Sequence, residues 1–261
     1  LGAAEPAAGN DDQGYAAPRS VAALAARYAS EPNATLVAGA TDVGLWVNKD
    51  LRELPSLIYL GDIPELRVIE DDGEALVIGA AANLADAFAA LTARYPALAE
   101  VTVRFASPPI RHAATLGGNI ANGSPIGDSM PILLALDAEV GLRCGERERT
   151  VPLASFYTAY QRSVRETGEF ITAIRVPHAG PHTRIAGYKI SKRRDQDISA
   201  LCAGIAMALD GDGRIHDVRL GFGGMAATPK RATHAEASLE GQPWQRASFA
   251  AAGRALESDF E

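Results

Sequence analysis

Cysteine is nearly absent: Cys144 and Cys202 are the only two in 261 residues. They stand too far apart for a CxxC metal site and are too few for a disulfide framework. That scarcity fits a reducing, cytoplasmic setting. The five histidines (His112, His178, His182, His216, His234) show no HxxxH spacing and no pairing with the cysteines, so no metal site is expected. No apolar run approaches the ~20 residues that cross a bilayer, and the start lacks the basic-then-apolar order of a secretory signal. Basic residues are scattered, and 25 Lys and Arg against 32 Asp and Glu leave a net charge of −7. Neither a membrane role nor a nucleic-acid partner is expected from this balance. The first nucleotide motifs to look for are also missing. There is no G-x-G-x-x-G after a strand and no G-x-x-x-x-G-K-[ST], which removes the Rossmann and P-loop routes. Ser124 lacks the G-x-S-x-G context of a hydrolase nucleophile, and Cys144 has no evident activating neighbour. The run Asp210-Gly211-Asp212-Gly213 lacks the Glu of a calcium loop and lies between strand-like segments, so a hairpin turn is expected there.

What remains is an ordinary globular composition, 47% hydrophobic and 22% charged, with two loops rich in small residues. The start, Leu1 to about residue 14, reads as a linker, and both ends suggest a piece of a longer polypeptide. Ser20 is placed to cap a helix carrying Val21, Leu24 and Tyr28 on one face. Residues 35–38 read as a short buried strand that runs into a glycine loop, Gly39-Ala40-Thr41-Asp42-Val43-Gly44. A hairpin turned at Asp71-Asp72-Gly73 follows, then a helix capped by Asn83 and a helical patch over 97–105. The second loop covers residues 115–128. Its four glycines and two asparagines look too polar for a strand or helix interior. Taken alone, it suits either a long surface turn or an anion site of converging backbone N–H groups. A buried helix over 130–136, a hairpin over 139–152, a short helix over 153–160 and a strand over 170–176 come next. After a Gly/Pro segment at 178–182, strands over 184–191, 198–209 and 214–221 lead to helices over 231–239 and 247–257. Strands in meanders followed by helices indicate an α+β protein.

Two glycine loops bearing hydroxyl and amide side chains suit a diphosphate held by backbone donors. Asp42 and Asp128 would repel phosphate and are better placed for hydroxyl or ring N–H groups. A cluster of Lys189, Lys192, Arg193 and Arg194 fits either a solvated strand end or a site. A diphosphate cofactor without a Rossmann motif suggests a flavin dinucleotide.

These residues carry a resemblance. Leu36-Val37-Ala38-Gly39-Ala40-Thr41-Asp42-Val43-Gly44, together with Thr115-Leu116-Gly117-Gly118-Asn119-Ile120, resembles the flavin domain of the molybdenum hydroxylases. Within that family the pattern is most similar to the small subunit of xanthine dehydrogenases. Gly123-Ser124-Pro125-Ile126-Gly127-Asp128, Tyr188-Lys189-Ile190-Ser191-Lys192-Arg193-Arg194 and Gly223-Gly224-Met225-Ala226 support it. The resemblance implies a two-subdomain FAD-binding fold of the vanillyl-alcohol-oxidase/p-cresol-methylhydroxylase type over 15–180, with subdomains of about 15–75 and 76–180. A small α/β domain resembling the carbon monoxide dehydrogenase flavoprotein C-terminal domain would cover 183–261, truncated at its end.

The resemblance also implies roles. Leu36, Val37, Ala38, Gly39, Ala40, Thr41, Asp42 and Val43 would wrap the FAD diphosphate. Thr115, Gly118, Asn119, Asn122, Ser124 and Asp128 would hold the diphosphate, ribityl and adenosine portions. Phe105 and Ile171 would flank the adenine, and Lys189 would reach the flavin. Arg193 and Asp197 would sit in a flavin-proximal loop, and Tyr160 would stack NAD. Gln196 departs from the acidic residue often found there, which leaves NAD and oxygen both open as acceptors. Partners implied are a molybdenum-binding large subunit with molybdopterin and 2Fe-2S clusters on another domain or chain, in a heterotetramer. Flavin subunits of carbon monoxide dehydrogenase or aldehyde oxidoreductase relatives, and a non-catalytic nucleotide-binding or assembly module of the same fold, remain alternatives.

Overall fold

The structure is a computed structural model that describes residues 14–260, so the linker read over 1–14 lies almost wholly outside the described residues. The chain first builds a small parallel sheet. Its elements are β1 (Tyr15–Ala16), α1 (Val21–Ser30), β2 (Thr35–Val37), α2 (Thr41–Asn48) and β3 (Leu57–Tyr59), with strand order β1-β3-β2. The Ser20 hydroxyl accepts from Ala23 N at 3.1 Å and starts α1, which buries Leu24, Ala25 and Tyr28. Ile58, Ile63, Leu66 and Phe170 complete that core. The pairing β2–α2–β3 is a parallel β-α-β unit, which the expectation of meanders alone missed. Three-residue strands carry too little alternation to announce their direction.

A second layer follows. It contains β4 (Ile69–Asp71), β5 (Ala75–Gly79), α3 (Leu84–Arg94), α4 (Ala99–Arg104), α5 (Pro108–Ala113), α6 (Leu116–Asn122) and α7 (Ser129–Ala135). Then come β6 (Glu139–Cys144), β7 (Arg147–Pro152), β8 (Tyr157–Ala159), β9 (Arg162–Ser163) and β10 (Phe170–Pro177). Their main sheet runs β4-β5-β10-β6-β7, all antiparallel. β10 is central, which explains its apolar run of Phe170, Ile171, Ile174 and Val176. The helix read over 153–160 is only a 3-10 turn (Leu153–Ser155), after which Tyr157 enters β8. Phe156 is fully buried and Tyr157 donates to Ile120 O at 2.9 Å. Those tertiary anchors override local helix preference.

Just before β10, Glu169 is buried and takes two hydrogen bonds from Arg149, at 2.8 and 2.7 Å, and one from Glu166 N at 2.7 Å. These bonds, Arg149 foremost, hold its carboxyl below the ordinary glutamate value.

The last layer is the antiparallel sheet β11 (Thr183–Ile190), β12 (Leu201–Leu209), β13 (Ile215–Gly223) and β14 (Lys230–Arg231), in that order, covered by α8 (Thr233–Leu239) and α9 (Arg246–Asp259). α7 is the joint between layers. Every one of its residues is buried, and its backbone lies directly on β12 and β13. A Cβ at Gly204 or Gly221 would stand 2.2 or 2.3 Å from Pro131 O. Glycine at both positions is what lets the helix approach. At the start of α7, Asp128 is 2% exposed. Its carboxylate accepts from Lys189 Nζ and from Ser199 Oγ, each at 2.5 Å. An unpaired charge here would cost several kcal/mol, about 3–5 by the behaviour of buried pairs, so the second and third layers are tied electrostatically as well as by packing.

Gly204→Ala is expected to lower stability by about 1–3 kcal/mol, read as a lower urea midpoint; an unchanged midpoint would contradict the α7–sheet contact. Because Glu169 has a depressed value, its contribution is complete above 4.5 and is lost as pH falls below it. Glu169→Gln should therefore flatten the acid limb of the stability profile, and an identical limb in the variant would refute this role.

Candidate functional site

A cleft of about 470 Å³ opens between the first and second layers, within the roughly 300–1,000 Å³ range of cofactor and small-molecule sites. One wall is the turn from β2 into α2. Ala40 adopts a left-handed backbone, φ 55°, and from there Thr41 starts the helix. The sequence reading of 39–44 as loop is thus right for its first half only. The backbone N–H groups of residues 38 to 43 make no hydrogen bond to any acceptor among the described residues. Gly44 N is the first to be taken, by Ala40 O at 2.8 Å. This run of donors, with the positive end of α2 behind it, is suited to an anion. Gly39 has a structural reason of its own: a Cβ there would fall 1.8 Å from Ala113 O.

The opposite wall is α6. Residues 115–128 were expected to be loop, and α6 corrects that. Leu116 and Ile120, one turn apart, are fully buried, and burial of that stripe outweighs the low helix propensity of two glycines. The Thr115 side chain caps Gly118 N at 3.1 Å. Leu116 N and Gly117 N bond Ala82 O and Ala80 O, both at 3.0 Å. The donors at the start of α6 are therefore already occupied. Gly117 packs against the residue that follows β5, where a Cβ would meet Ala80 at 2.6 Å. Gly118 is different: it is exposed, and a Cβ there would meet only its own cap, Thr115 Oγ1 at 2.8 Å. The two walls touch where Asn122 Nδ2 donates to Asp42 Oδ1 at 3.3 Å. The cleft walls crowd the Asp42 carboxyl and push it above the usual carboxylate range.

Of the residues singled out in sequence, Leu36, Ala38, Gly39, Ala40, Thr41, Asp42, Val43, Thr115, Gly118, Asn119, Asn122 and Ile171 line this one cleft. Others lie outside its lining. Val37 sits in β2 with its carbonyl accepting from Leu60 N at 2.8 Å. Phe105 stands edge-on to Phe88, 5.4 Å between ring centres, so Ile171 is the member of the adenine pair that faces the cleft. Ser124 accepts from Ile126 N at 3.4 Å. Asp128 and Lys189 spend their charges on each other, which turns the Lys189 ammonium into the core and away from solvent. They remain one step from the cleft, since Asn119 Oδ1 accepts from Ser129 Oγ at 2.5 Å.

Arg193 and Asp197 pair at 3.0 Å on an exposed segment. That segment is gripped from α4: Arg104 donates to Lys189 O (2.8 Å), Arg194 O (3.0 Å) and Ser191 Oγ (2.8 Å). Tyr160 is 57% exposed at the β8–β9 turn. Its neighbour Gln161, at φ 52°, is the residue of that turn that enters the lining.

Sequence reasoning missed Tyr28, Trp46, Arg52, Arg165 and Phe170 as lining residues. Tyr28 and Phe170 read as core, and they are core on one side: their rings meet edge-to-face at 6.3 Å. Arg52 covers the Trp46 ring at 5.2 Å and pairs with Asp50 at 2.9 Å. No periodicity marks Trp46, Arg52 or Arg165 as lining residues. No group of His, Cys, Asp or Glu suited to a metal occurs among the described residues. Both cysteines are free, and burial pushes the Cys202 thiol far up. No helix among the described residues is long and apolar enough to cross a membrane.

Known proteins share this arrangement. The model of the FAD-binding domain in molybdopterin dehydrogenase matches residues 10–179, and that of the CO dehydrogenase flavoprotein C-terminal domain matches residues 186–261. Nicotinate hydroxylase of Emericella nidulans is 35% identical over 90% of this chain and 19% of its own length. The putative xanthine dehydrogenase FAD-binding subunit XdhB of Escherichia coli is 32% identical over 82% of this chain and 75% of its own. The xanthine dehydrogenase/oxidase of Gallus gallus is 29% identical over 94% and 19% respectively. The chain thus spans about a fifth of the two large relatives. A solved carbon monoxide dehydrogenase from Hydrogenophaga pseudoflava superposes with a TM-score of 0.87 at 29% identity, covering 99% of this chain and 89% of that one. With the cleft between its first two layers and both family models matched in order, the chain belongs to the FAD-binding flavoprotein family of the molybdenum hydroxylases.

Proposed function

We propose that this chain is the FAD-carrying electron-transfer component of a xanthine-dehydrogenase-like molybdenum hydroxylase, divided into an FAD domain over 15–180 and a C-terminal domain over 183–261. The observation that carries the reading is the run of unpaired N–H groups at 38–43, facing α6 across a cleft of cofactor size. The residues present fit a dinucleotide. Donors without acceptors answer a diphosphate; the apolar Leu36, Leu60, Phe170 and Ile171 answer a planar ring. When bound, FAD supplies a relay that takes electrons arriving through iron–sulfur clusters and passes a hydride to NAD.

The work left to this chain is binding and orientation. Ala38 through Val43 hold the diphosphate by main-chain donors. Asn119 and Asn122 present amides to the hydroxyl-bearing part. Asp42, its carboxyl raised by burial in the cleft, is suited to a ribityl or ribose hydroxyl, since a carboxylate and a phosphate repel. The buried Lys189–Asp128 pair fixes α7 and, through Ser129, the Asn119 amide. Molybdopterin and 2Fe-2S clusters then belong to a large molybdenum subunit and to another domain or chain, in a cytoplasmic heterotetramer. The likeness to carbon monoxide dehydrogenase over 99% of the chain favours a second reading, a flavin subunit serving a different molybdenum centre.

Titration with FAD, followed by flavin fluorescence, should give saturable binding; a chain that takes up no FAD refutes the assignment. Gly118→Val places a branched side chain on the open face of α6. It is expected to release FAD while circular dichroism stays unchanged, and full retention would misplace the cofactor. Tyr160→Ala is expected to weaken NAD binding with FAD content unchanged; loss of FAD instead would contradict that role.

A further inference from the structure

We infer that Arg165 is the cationic residue of the cleft that neutralises the cofactor's diphosphate; this rests on the cleft being the FAD site proposed above. Main-chain N–H groups offer direction but no net charge, and a diphosphate brings more than one negative charge into a half-enclosed cleft. Two arginines line that cleft. Arg52 already pairs with Asp50 and stacks on Trp46. Arg165 has no carboxylate within ion-pair distance among the described residues. Its neighbour Glu166 is taken by Arg147 at 2.6 Å, and Glu169 by Arg149 at 2.7 Å. Arg165 has a single hydrogen bond to a described residue, from Nε to Ser163 Oγ at 3.2 Å, which steadies the side chain and leaves both terminal nitrogens free to donate.

Its position is fixed by its neighbours. The guanidinium pulls the pKa of both Tyr28 and Tyr157 down against the larger upward push of their burial, so it lies within electrostatic reach of each. Tyr157 is hydrogen-bonded to α6 at Ile120. Gln161, on the same hairpin, lies against Gly123 at the end of α6, one residue from Asn122, whose amide meets Asp42. Arg165 thus sits in the corner where α1, α6 and the hairpin converge on the donor run.

A second observation points to a ligand in the same corner. Tyr28 lines the cleft, and its hydroxyl faces it with no hydrogen-bond partner among the described residues. A cleft-facing hydroxyl and a guanidinium without a carboxylate together suit an acceptor that carries charge. On the preceding β6–β7 hairpin, by contrast, Arg143, Arg147 and Arg149 each have a carboxylate.

The test is FAD titration of the full chain at low and high salt, with Arg165→Gln and Arg165→Lys beside the unsubstituted protein. Arg165→Gln is expected to weaken FAD by about ten- to a hundredfold, the loss of a charged hydrogen bond, and to flatten the dependence of affinity on salt. Arg165→Lys should retain the salt dependence with a smaller loss, because it keeps charge without the planar fork. Thermal melts without flavin separate a folding defect from lost binding. Unchanged FAD affinity in Arg165→Gln, or a salt dependence equal to that of the unsubstituted protein in both variants, overturns the inference and leaves the FAD assignment standing. Failure of the unsubstituted chain to bind FAD overturns both.

Discussion

A buried carboxylate needs a buried cation, and Asp128 with Lys189 is the pair on which the layers of this molecule depend. The carboxylate begins α7, in the second layer, and the ammonium hangs from β11, in the third. Ser199 closes the remaining acceptor. Neither layer satisfies its own charge, so separating them would strand one on each side. The same few residues reach the cleft, because Ser129, next in sequence, orients Asn119. A bond that joins layers therefore also sets one wall of the cofactor site.

The two walls do different work. α6 is finished by its own contacts: its first donors go to Thr115, Ala80 and Ala82. The β2–α2 turn is left unfinished, with donors at 38–43 that the described chain never satisfies. Such groups are costly to bury unpaired, and a cleft keeps them hydrated until a ligand replaces the water. The asymmetry explains why the second glycine-rich stretch, the more conspicuous in sequence, is the better packed in space.

Much of this was legible beforehand. Capping by Ser20 and Asn83, the buried α7, the 139–152 hairpin and the antiparallel third sheet follow from periodicity and turn chemistry. What escaped has physical reasons. The α6 helix hid because glycine and asparagine advertise a turn, while Leu116 and Ile120, which decide the matter, are only two residues. The parallel pairing of β2 and β3 hid because three-residue strands carry no direction. Within the cleft, the glycine loops were visible as sequence patterns. Tyr28, Phe170 and Arg165 were not, since a side chain that is core on one face and ligand-facing on the other leaves the same sequence trace as plain core.

Arg104 holds the 189–194 segment almost wholly by its main chain, through the carbonyls of Lys189 and Arg194, with Ser191 the one side-chain contact. A tether of that kind is indifferent to what the intervening side chains are. Lys192, Arg193 and the residues out to Gln196 can be exchanged without loosening the anchor. The charges on this face can therefore change while the scaffold beneath it stays put.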